Sequence, residues 1–427
     1  MFGKDFLIGA STAAHQVEGN NIYSDYWAME HMKYSSFAEP SLDAVDHYNR
    51  YEEDIRMMAE AGLNCYRFSI EWARIEPEED KFDLDEVEHY RKVIRCCKEN
   101  GIEPIVTFHH FTSPKWLIAK GGWEAESTVR DFADYCRFLT KELGSELHYV
   151  VTINEANMGL QLASIIKRYM LSAIFSRKKK TDGKAQVGVN LKQMMENRKL
   201  AAAENLEVFG TENPQIFVSQ RTKEGDILVM RAHQAAVKAI KEVCPDLKVG
   251  LSLSLHDMQP ERFGKRSAEK EWDEEFVHYI PYIKDDDFLG VQNYTRSQFG
   301  LFGMKNPPEG AKLTQMEYEY YPEALEHVIR AAHKDFPGDL IVTENGVATS
   351  DDTDRVAFID TALKGVKACV DDGIPVKGYC HWSLMDNFEW QKGYSMTFGL
   401  IAVDRATQKR TPKESLAFLG SFAAREA

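Results

Sequence analysis

The sequence predicts an α/β protein in which strands and helices alternate and close into a single-domain (β/α)8 barrel, the TIM barrel, with extended loops after the strands. Three observations lead to this prediction. Short apolar runs alternate with amphipathic helical patterns along the 427 residues, an order typical of a parallel sheet covered by helices. The runs number eight, which suits closure, and the first is not followed by the GxGxxG turn that would favour a doubly wound open sheet.

The eight apolar runs are the predicted barrel strands, and most of them end at polar or aromatic residues. They cover residues 6–10, 65–70, 104–108, 149–153, 248–253, 288–291, 340–343 and 376–380. The active site of such a barrel lies at the C-terminal ends of its strands. The residues that follow each run are therefore the candidate functional residues.

Helical patterns fill the intervals between the runs. The clearest cover residues 51–61, 86–100, 129–143, 227–243, 321–334 and 354–371. Several stop beside glycine, at Gly62, Gly101, Gly144 and Gly373, as helices commonly do. Length alone would suggest about two or three domains. Because no low-complexity linker interrupts the pattern, residues 1–427 are predicted to form one domain.

Composition excludes several classes of partner. The formal net charge of −15 argues against nucleic acid, because phosphates would be repelled. The seven cysteines are odd in number and form no CxxC pair, which indicates reduced thiols in a cytoplasmic protein. Neither a signal peptide nor a membrane-length apolar run is recognisable. The predicted protein is therefore cytoplasmic, with no membrane partner, and a homo-oligomer remains open.

Two glutamates occupy matching positions on opposite sides of the chain. Glu155 follows the fourth run and Glu344 follows the seventh. Each alone could be an ordinary surface carboxylate. Two facing carboxylates, however, are what cleavage of a glycosidic bond needs, because one protonates the leaving oxygen and the other meets the positive charge at the anomeric carbon. Together they predict a glycosidase site.

One arginine is predicted within an apolar strand, where a charge needs a partner. Arg67 lies in the second run, and a catalytic carboxylate is a suitable partner. A structural ion pair in the barrel mouth is the alternative, and both can hold at once. Pairing with Arg67 is expected to lower the pKa of that carboxylate and keep it ionised as a nucleophile.

Histidines and aromatic residues follow the third and eighth runs. Adjacent strand residues point to opposite faces, so one of His109 and His110 is expected to bind sugar and the other to pack. A metal or other cofactor is not predicted, because further ligands at metal-site spacing are missing. Tryptophans alternate with polar groups in residues 381–390, which suits a pyranose more than the alternative, an aromatic core cluster.

The assembled segments resemble glycoside hydrolase family 1, the β-glucosidase and β-galactosidase family built on a (β/α)8 barrel. The resemblance runs nearly end to end. It is carried by residues 9–19, 46–54, 66–72, 341–346, 382–390, 398–400 and 403–404.

The resemblance implies a retaining, two-step mechanism with Glu155 as general acid/base and Glu344 as nucleophile. The free enzyme would then have a raised pKa at Glu155 and a lowered pKa at Glu344. Arg67 and Tyr294 would orient the nucleophile. The implied substrate-binding residues are Gln16, His110, Asn154, Tyr294, Trp382, Glu389 and Trp390.

Two features narrow the substrate that the resemblance implies. Members acting on 6-phosphosugars replace the Asn-Phe-Glu-Trp block with phosphate-receiving residues, whereas Glu389 would repel phosphate. Plant thioglucosidases lack the acid/base glutamate, which is present here as Glu155. The prediction is an exo-acting β-glucosidase for non-phosphorylated β-D-glucosides, with galactosides and fucosides as further substrates. A non-catalytic sugar-binding relative is the alternative.

Three departures from the family pattern are visible. Ala156 replaces the usual proline and is expected to leave the turn after Glu155 looser. The Asn-Tyr-Tyr motif becomes 292–294, in which neither Gln292 nor Asn293 is expected to copy the usual asparagine contact. Residues 157–230 are atypical, with an apolar helix-like face followed by the basic residues 177–180. This segment is predicted to be a lid or oligomer contact rather than a membrane-surface helix.

Overall fold

The computed structural model describes residues 2–175 and 188–423, and its centre is a closed parallel barrel of eight strands. Each strand pairs with its neighbours in chain order, and the eighth pairs with the first. The strands are Leu7–Ser11, Cys65–Ser69, Glu103–His109, Tyr149–Ile153, Lys248–Ser254, Phe288–Gln292, Asp339–Asn345 and Val376–Trp382. The predicted barrel is therefore confirmed, with strand ends shifted by a few residues.

A helix follows each strand and packs on the barrel from outside. These helices are His47–Ala61, Leu84–Glu99, Ser127–Leu143, Lys223–Val243, Lys265–Glu275, Ala324–Asp335, Asp352–Asp371 and Glu414–Gly420. Several start before the predicted positions. Their side-chain caps, Asp83, Thr222 and Asp351, satisfy backbone N–H groups ahead of the first apolar residue.

The loops contain smaller elements of secondary structure. A three-stranded sheet consists of Asp257–Pro260, Arg296–Gly300 and Gly303–Met304. A two-stranded sheet consists of Ile401–Val403 and Arg410–Pro412. Short α-helices are Ala14–Val17, Asp25–Glu30, Trp72–Ile75, Lys115–Ala119 and Ile280–Ile283. The 3₁₀ turns are Gly122–Glu124, Gly144–Glu146, Val277–Tyr279 and Trp390–Lys392.

The atypical segment after the fourth strand contains three loop helices, Met158–Phe175, Leu191–Asn197 and Ala201–Phe209. The basic residues 177–180 lie outside the described residues. In the described ranges, no helix has the length and apolar character needed to cross a bilayer.

The barrel interior is filled from its N-terminal end by a small apolar cluster. Its members are Cys65, Ile105, Val151, Phe288, Ile341 and Cys380. Side chains two residues apart on a strand share a face, so Arg67 lies above Cys65 and faces the interior nearer the C-terminal mouth. This register explains how a fully buried arginine comes to stand beneath the candidate site.

Candidate active site

A cavity with about 280 Å³ of empty volume opens at the C-terminal ends of the strands. It is lined by His110, Phe111, Asn154, Glu155, Tyr294, Glu344, Trp382, Glu389, Trp390 and Phe398. Arg67 and Gln16, which are also predicted site residues, stand behind this lining and contact it.

Glu344 reaches the cavity because the seventh strand is irregular at its end. The pairing of this strand with the sixth shifts register between Val342 and Glu344. Such a bulge re-aims a side chain that regular alternation would send to the other face. Once in the cavity, the Glu344 carboxylate accepts hydrogen bonds from Arg67 Nη1 and, at 2.6 Å, from the Tyr294 hydroxyl.

Arg67 holds three groups in fixed relation. Besides Glu344, it donates to Thr107 Oγ1 at 2.9 Å and to Asn154 Oδ1 at 2.5 Å. A guanidinium offers several donors in a rigid fork. Arg67 therefore couples the position of Glu344 to that of Asn154, the neighbour of Glu155.

Glu155 sits at the turn that leaves the fourth strand. Its φ of 44° lies in the left-handed region that few non-glycine residues adopt. The turn is held to the fifth strand, because the Glu155 N–H donates to Ser252 Oγ at 3.2 Å and the Ala156 N–H donates to Ser252 O at 3.0 Å. Proline could not make the second bond, so Ala156 gives the turn a backbone anchor that the usual proline would lack.

The two glutamates are both buried, with 4% of Glu155 and 3% of Glu344 exposed. Burial raises the pKa of Glu155 well above its usual value, and the charge of Glu344 raises it further. Burial also raises the pKa of Glu344, so the expectation of a lowered value was wrong. Arg67 and the Tyr294 hydroxyl oppose that rise. The ionised form of Glu344 is therefore stabilised by a guanidinium and a hydroxyl in direct contact.

Asn154 is the centre of a polar network between the two carboxylates. Its Oδ1 accepts from Gln292 Nε2 at 2.7 Å and from Ser252 Oγ at 3.1 Å, in addition to Arg67. Its Nδ2 donates to Nε2 of His110 at 3.0 Å. The pKa of His110 is well below its usual value because of burial, so this neutral ring nitrogen can accept.

His109 and His110 divide as expected from strand alternation. His110 lines the cavity, whereas His109 packs among Trp123 and Phe217 and contacts Ser113 Oγ at 3.1 Å. Within the part of the chain that the structure describes, no group of three His, Cys, Asp or Glu side chains could hold a metal ion.

The side of the cavity after the eighth strand carries the third carboxylate. Glu389 receives hydrogen bonds from Gln16 Nε2, at 3.4 Å, from the backbone of Gly188 and from the side chain of Trp382. Burial, and then the charge of Glu344, raises the pKa of Glu389 to about 8. This carboxylate is therefore easily neutralised and ready to exchange hydrogen bonds with a neutral ligand.

The tryptophans form part of a stacked wall. Trp390 lies parallel to His15 with ring centroids 6.1 Å apart, and Trp382 lies near-parallel to His110 at 5.8 Å. Both tryptophans still line the cavity. An aromatic wall beside a carboxylate matches the apolar patches and outward hydroxyls of a pyranose.

Gln292 and Ser252 are parts of this network that the sequence did not reveal. Gln292 bonds Asn154 and also contributes a hydrogen bond to Glu344 that acts to lower its pKa. Ser252 bonds Asn154, Gln292 and the backbone of Glu155. The available signal was their place near the ends of the fifth and sixth strands.

Comparison with known proteins gives consistent matches. The model described as Glycosyl hydrolase family 1 matches residues 1–215 and 276–427. The chain is 28% identical to Beta-glucosidase A of Thermotoga maritima, over 97% of this chain and 96% of that protein. It is 27% identical to the Bifunctional beta-D-glucosidase/beta-D-fucosidase of Bifidobacterium breve, over 99% and 98%. The crystal structure of beta-glycosidase BGL167 matches with a TM-score of 0.87 at 43% identity, covering 100% of this chain and 99% of that one.

Proposed function

The chain belongs to glycosyl hydrolase family 1, and we propose that it is a retaining, exo-acting β-glucosidase for non-phosphorylated β-D-glucosides. The observation that carries this proposal is one small cavity shared by two buried glutamates with unlike surroundings. Glu344 has a cation and a hydroxyl as partners, whereas burial leaves Glu155 strongly biased toward its protonated form. Such a pair is suited to nucleophilic attack and acid catalysis.

In the first step, an ionised Glu344 oxygen attacks the anomeric carbon while Glu155 donates its proton to the leaving oxygen. The bond from carbon to the aglycone breaks as the glycosyl ester forms. Esterification removes the charge of Glu344, which was one cause of the raised pKa of Glu155. Glu155, now ionised, takes a proton from water in the second step, and that water cleaves the ester with net retention.

The remaining polar groups recognise the sugar. Asn154 contacts the 2-hydroxyl, an interaction that strengthens in the transition state, and Arg67 and Tyr294 hold Glu344 in line. Gln16, His110, Trp382, Glu389 and Trp390 bind the rest of the ring. Whether protonated or ionised, the buried Glu389 offers a sugar phosphate no positive counter-charge, so the substrate is a neutral hexoside.

Fucosides and galactosides are further substrates of the same site. One matched relative is named as both a glucosidase and a fucosidase. The same lining residues would contact either sugar, and removal of single terminal sugars, rather than cleavage within a polymer, is part of this proposal.

The cellular setting is proposed from chemistry. We expect a cytoplasmic protein, since all seven cysteines are free thiols. Cys65 Sγ and Cys380 Sγ lie 3.4 Å apart, a hydrogen-bond distance and not a disulfide. The net charge of −15 disfavours nucleic acid. A homo-oligomer is compatible with these properties.

The test uses aryl β-glycosides that differ only in the sugar. The enzyme should release phenol from the glucoside, and proton NMR should detect β-glucose as the first product. Release of α-glucose first would contradict the retaining mechanism. No release from any sugar by the folded protein would contradict the enzymatic function altogether.

A matched pair of variants guards against contaminating activity. Glu344→Ala should lower kcat/KM by at least about 10⁴-fold, the scale on which loss of a covalent nucleophile acts. Glu309→Ala, at an exposed loop glutamate, should retain full activity. Equal activity of the two variants would remove Glu344 from the mechanism.

A further inference from the structure

The atypical segment after the fourth strand returns to the barrel directly on the sugar side of the cavity. Gly188 and Asn190 pack on the loop that carries Glu389 and Gln391. Residues 188–190, which we name the latch, are far in sequence from that loop. The latch therefore connects the least family-like part of the chain to a substrate-binding carboxylate.

Gly188 touches Glu389 in two ways. Its backbone donates a hydrogen bond to the Glu389 carboxylate, which acts to lower the pKa of that group. A Cβ at position 188 would also lie 2.5 Å from Glu389 O and 3.1 Å from its Cγ. A larger residue would therefore have to displace the carboxylate or its loop.

The backbone bond matters because the other donors to Glu389 are few. The Gln16 Nε2 contact is 3.4 Å long, at the weak end of hydrogen bonding. Trp382 supplies another side-chain donor. A buried carboxylate needs each such donor, since leaving a charge unsatisfied costs more than a neutral hydrogen bond is worth.

Asn190 fixes the latch to its neighbours. Its N–H donates to Gln391 Oε1 at 2.6 Å, and its Nδ2 donates to Gln391 O at 2.5 Å and Ser36 O at 2.9 Å. In return, the Gln391 N–H donates to Gly188 O at 3.0 Å. These reciprocal bonds leave the Gly188 N–H little freedom relative to Glu389.

Resting on the proposed function, in which Glu389 faces the sugar edge that would carry the phosphate of a 6-phosphosugar, we infer that the latch positions Glu389 and thereby sets specificity at the 6-hydroxyl edge of the sugar. Gly188 and Asn190 are positioning residues that act through Glu389 and do not touch the reacting atoms. The segment predicted as a lid or oligomer contact thus supports one lining residue of the sugar site, Glu389, from behind. A glucoside, which has a hydroxymethyl group, should depend on the latch more than a xyloside, which lacks it.

Gly188→Ala tests the latch by comparing aryl β-glucoside with aryl β-xyloside. We expect kcat/KM for the glucoside to fall about 10- to 100-fold, the equivalent of one hydrogen bond to a charged group. The xyloside should lose about tenfold less, so that the preference for glucose shrinks. Equal losses on both sugars would overturn the proposal, because a purely structural defect does not discriminate between them.

Asn190→Ala should shift the same ratio by about 3- to 10-fold, since it removes the anchor but leaves the Gly188 N–H in place. Two controls match these variants. Gly3→Ala places a methyl group where nothing lies within 4 Å. Asn205→Ala removes a half-buried asparagine of the same segment, whose side chain bonds only the nearby Glu212 O in the described residues. Both should keep the glucose-to-xylose ratio of the original protein.

A double-variant cycle separates action through Glu389 from any other effect. In a Glu389→Ala background, Gly188→Ala should cost no more than about twofold on the glucoside, because the side chain that the latch positions has already been removed. A full additive loss would contradict the inference.

Binding provides a readout that does not need catalysis. Quenching of Trp382 and Trp390 fluorescence by glucose and by xylose should give the same change of ratio in Gly188→Ala. If the original protein binds glucose but hydrolyses nothing, the proposed function fails while this ratio still tests the latch. An unchanged ratio in an active enzyme refutes the latch alone.

Discussion

The surroundings of Glu344 and of Glu155 differ although both residues end apolar strands of one barrel. Glu344 is met by a guanidinium, a phenol hydroxyl and an amide. Glu155 is held mainly through its backbone, by Ser252, while its carboxyl group has Ser254 as a hydrogen-bonding side chain. Two identical side chains are thus given different proton affinities by what stands around them.

This contrast teaches that the difference in ionisation between the two carboxyls comes from their partners, because burial acts on both alike. Both carboxyls are buried to nearly the same degree, so desolvation acts on both. Of the two, Glu344 alone has a cation in direct contact among the described residues, and that cation is Arg67. Variants that remove one partner at a time should therefore shift the pKa of one carboxyl group and leave that of the other unchanged.

The variant Glu155→Ala should show the largest functional difference between the two glutamates. A glucoside with a poor leaving group should lose about 10²–10⁴-fold in kcat/KM, the usual contribution of general acid catalysis. A dinitrophenyl glucoside needs little protonation, so its kcat/KM should stay near the original value. Azide, which needs no general base, should accelerate turnover of the accumulated intermediate. Equal losses for both leaving groups would contradict the acid role.

Arg67→Met should have the second-largest effect, because it leaves the Glu344 carboxylate buried without its cation. We expect a loss of about 3–5 kcal/mol in the free energy of unfolding and of about 10²–10³-fold in kcat/KM on the same free-energy scale. Denaturant titration measures the stability. Adding Glu344→Gln should restore most of it, and a double variant as unstable as Arg67→Met would show that Arg67 matters for another reason.

Tyr294→Phe should shift only one side of the pH profile. Without the hydroxyl, the pKa of Glu344 rises further, so this group becomes protonated and inactive at higher pH. The acid limb of kcat/KM should move up by about one pH unit, the value of a hydrogen bond to a charged group. The alkaline limb, which reports loss of the Glu155 proton, should stay. Movement of both limbs together would contradict the separation.

Tyr318→Phe is the matched control for that profile. Tyr318 is a buried tyrosine whose ring centroid lies 6.5 Å from that of Tyr294. In the described ranges its hydroxyl has no hydrogen-bond partner. Its removal should leave both limbs in place.

The sequence predicted the barrel and the position of both glutamates because each depends on local pattern. Apolar runs mark the strands, and a polar residue at a strand end falls in the mouth by topology alone. The pKa of Glu344 was predicted wrongly because the sequence names its partner, Arg67, but not its depth of burial. Burial outweighs that partner in the folded protein.

Contacts between distant segments were not predictable. The Gly188 backbone meets Glu389, and Gln292 meets Asn154, through tertiary packing that no local pattern records. Ser252 was missed for a related reason. A serine at a strand end has no typical signature, and its role depends on neighbours that come from two other strands.

The smallest expected effect is that of changing Ser252, which tests the contacts on the Glu155 side of the site. Ser252→Ala removes a hydroxyl that bonds Asn154 and Gln292 and accepts from the Glu155 N–H. An unsatisfied buried group costs about 1–3 kcal/mol, part of which relaxation recovers, so kcat/KM should fall about 3- to 10-fold. The loss should be larger for poor leaving groups, since the hydroxyl supports the backbone of the acid and not Glu344.

Ser267→Ala, on the helix Lys265–Glu275, should change neither rate. A uniform loss across leaving groups would mean that Ser252 serves the nucleophile side equally, and the division between the two glutamates would then be less complete than their contacts indicate.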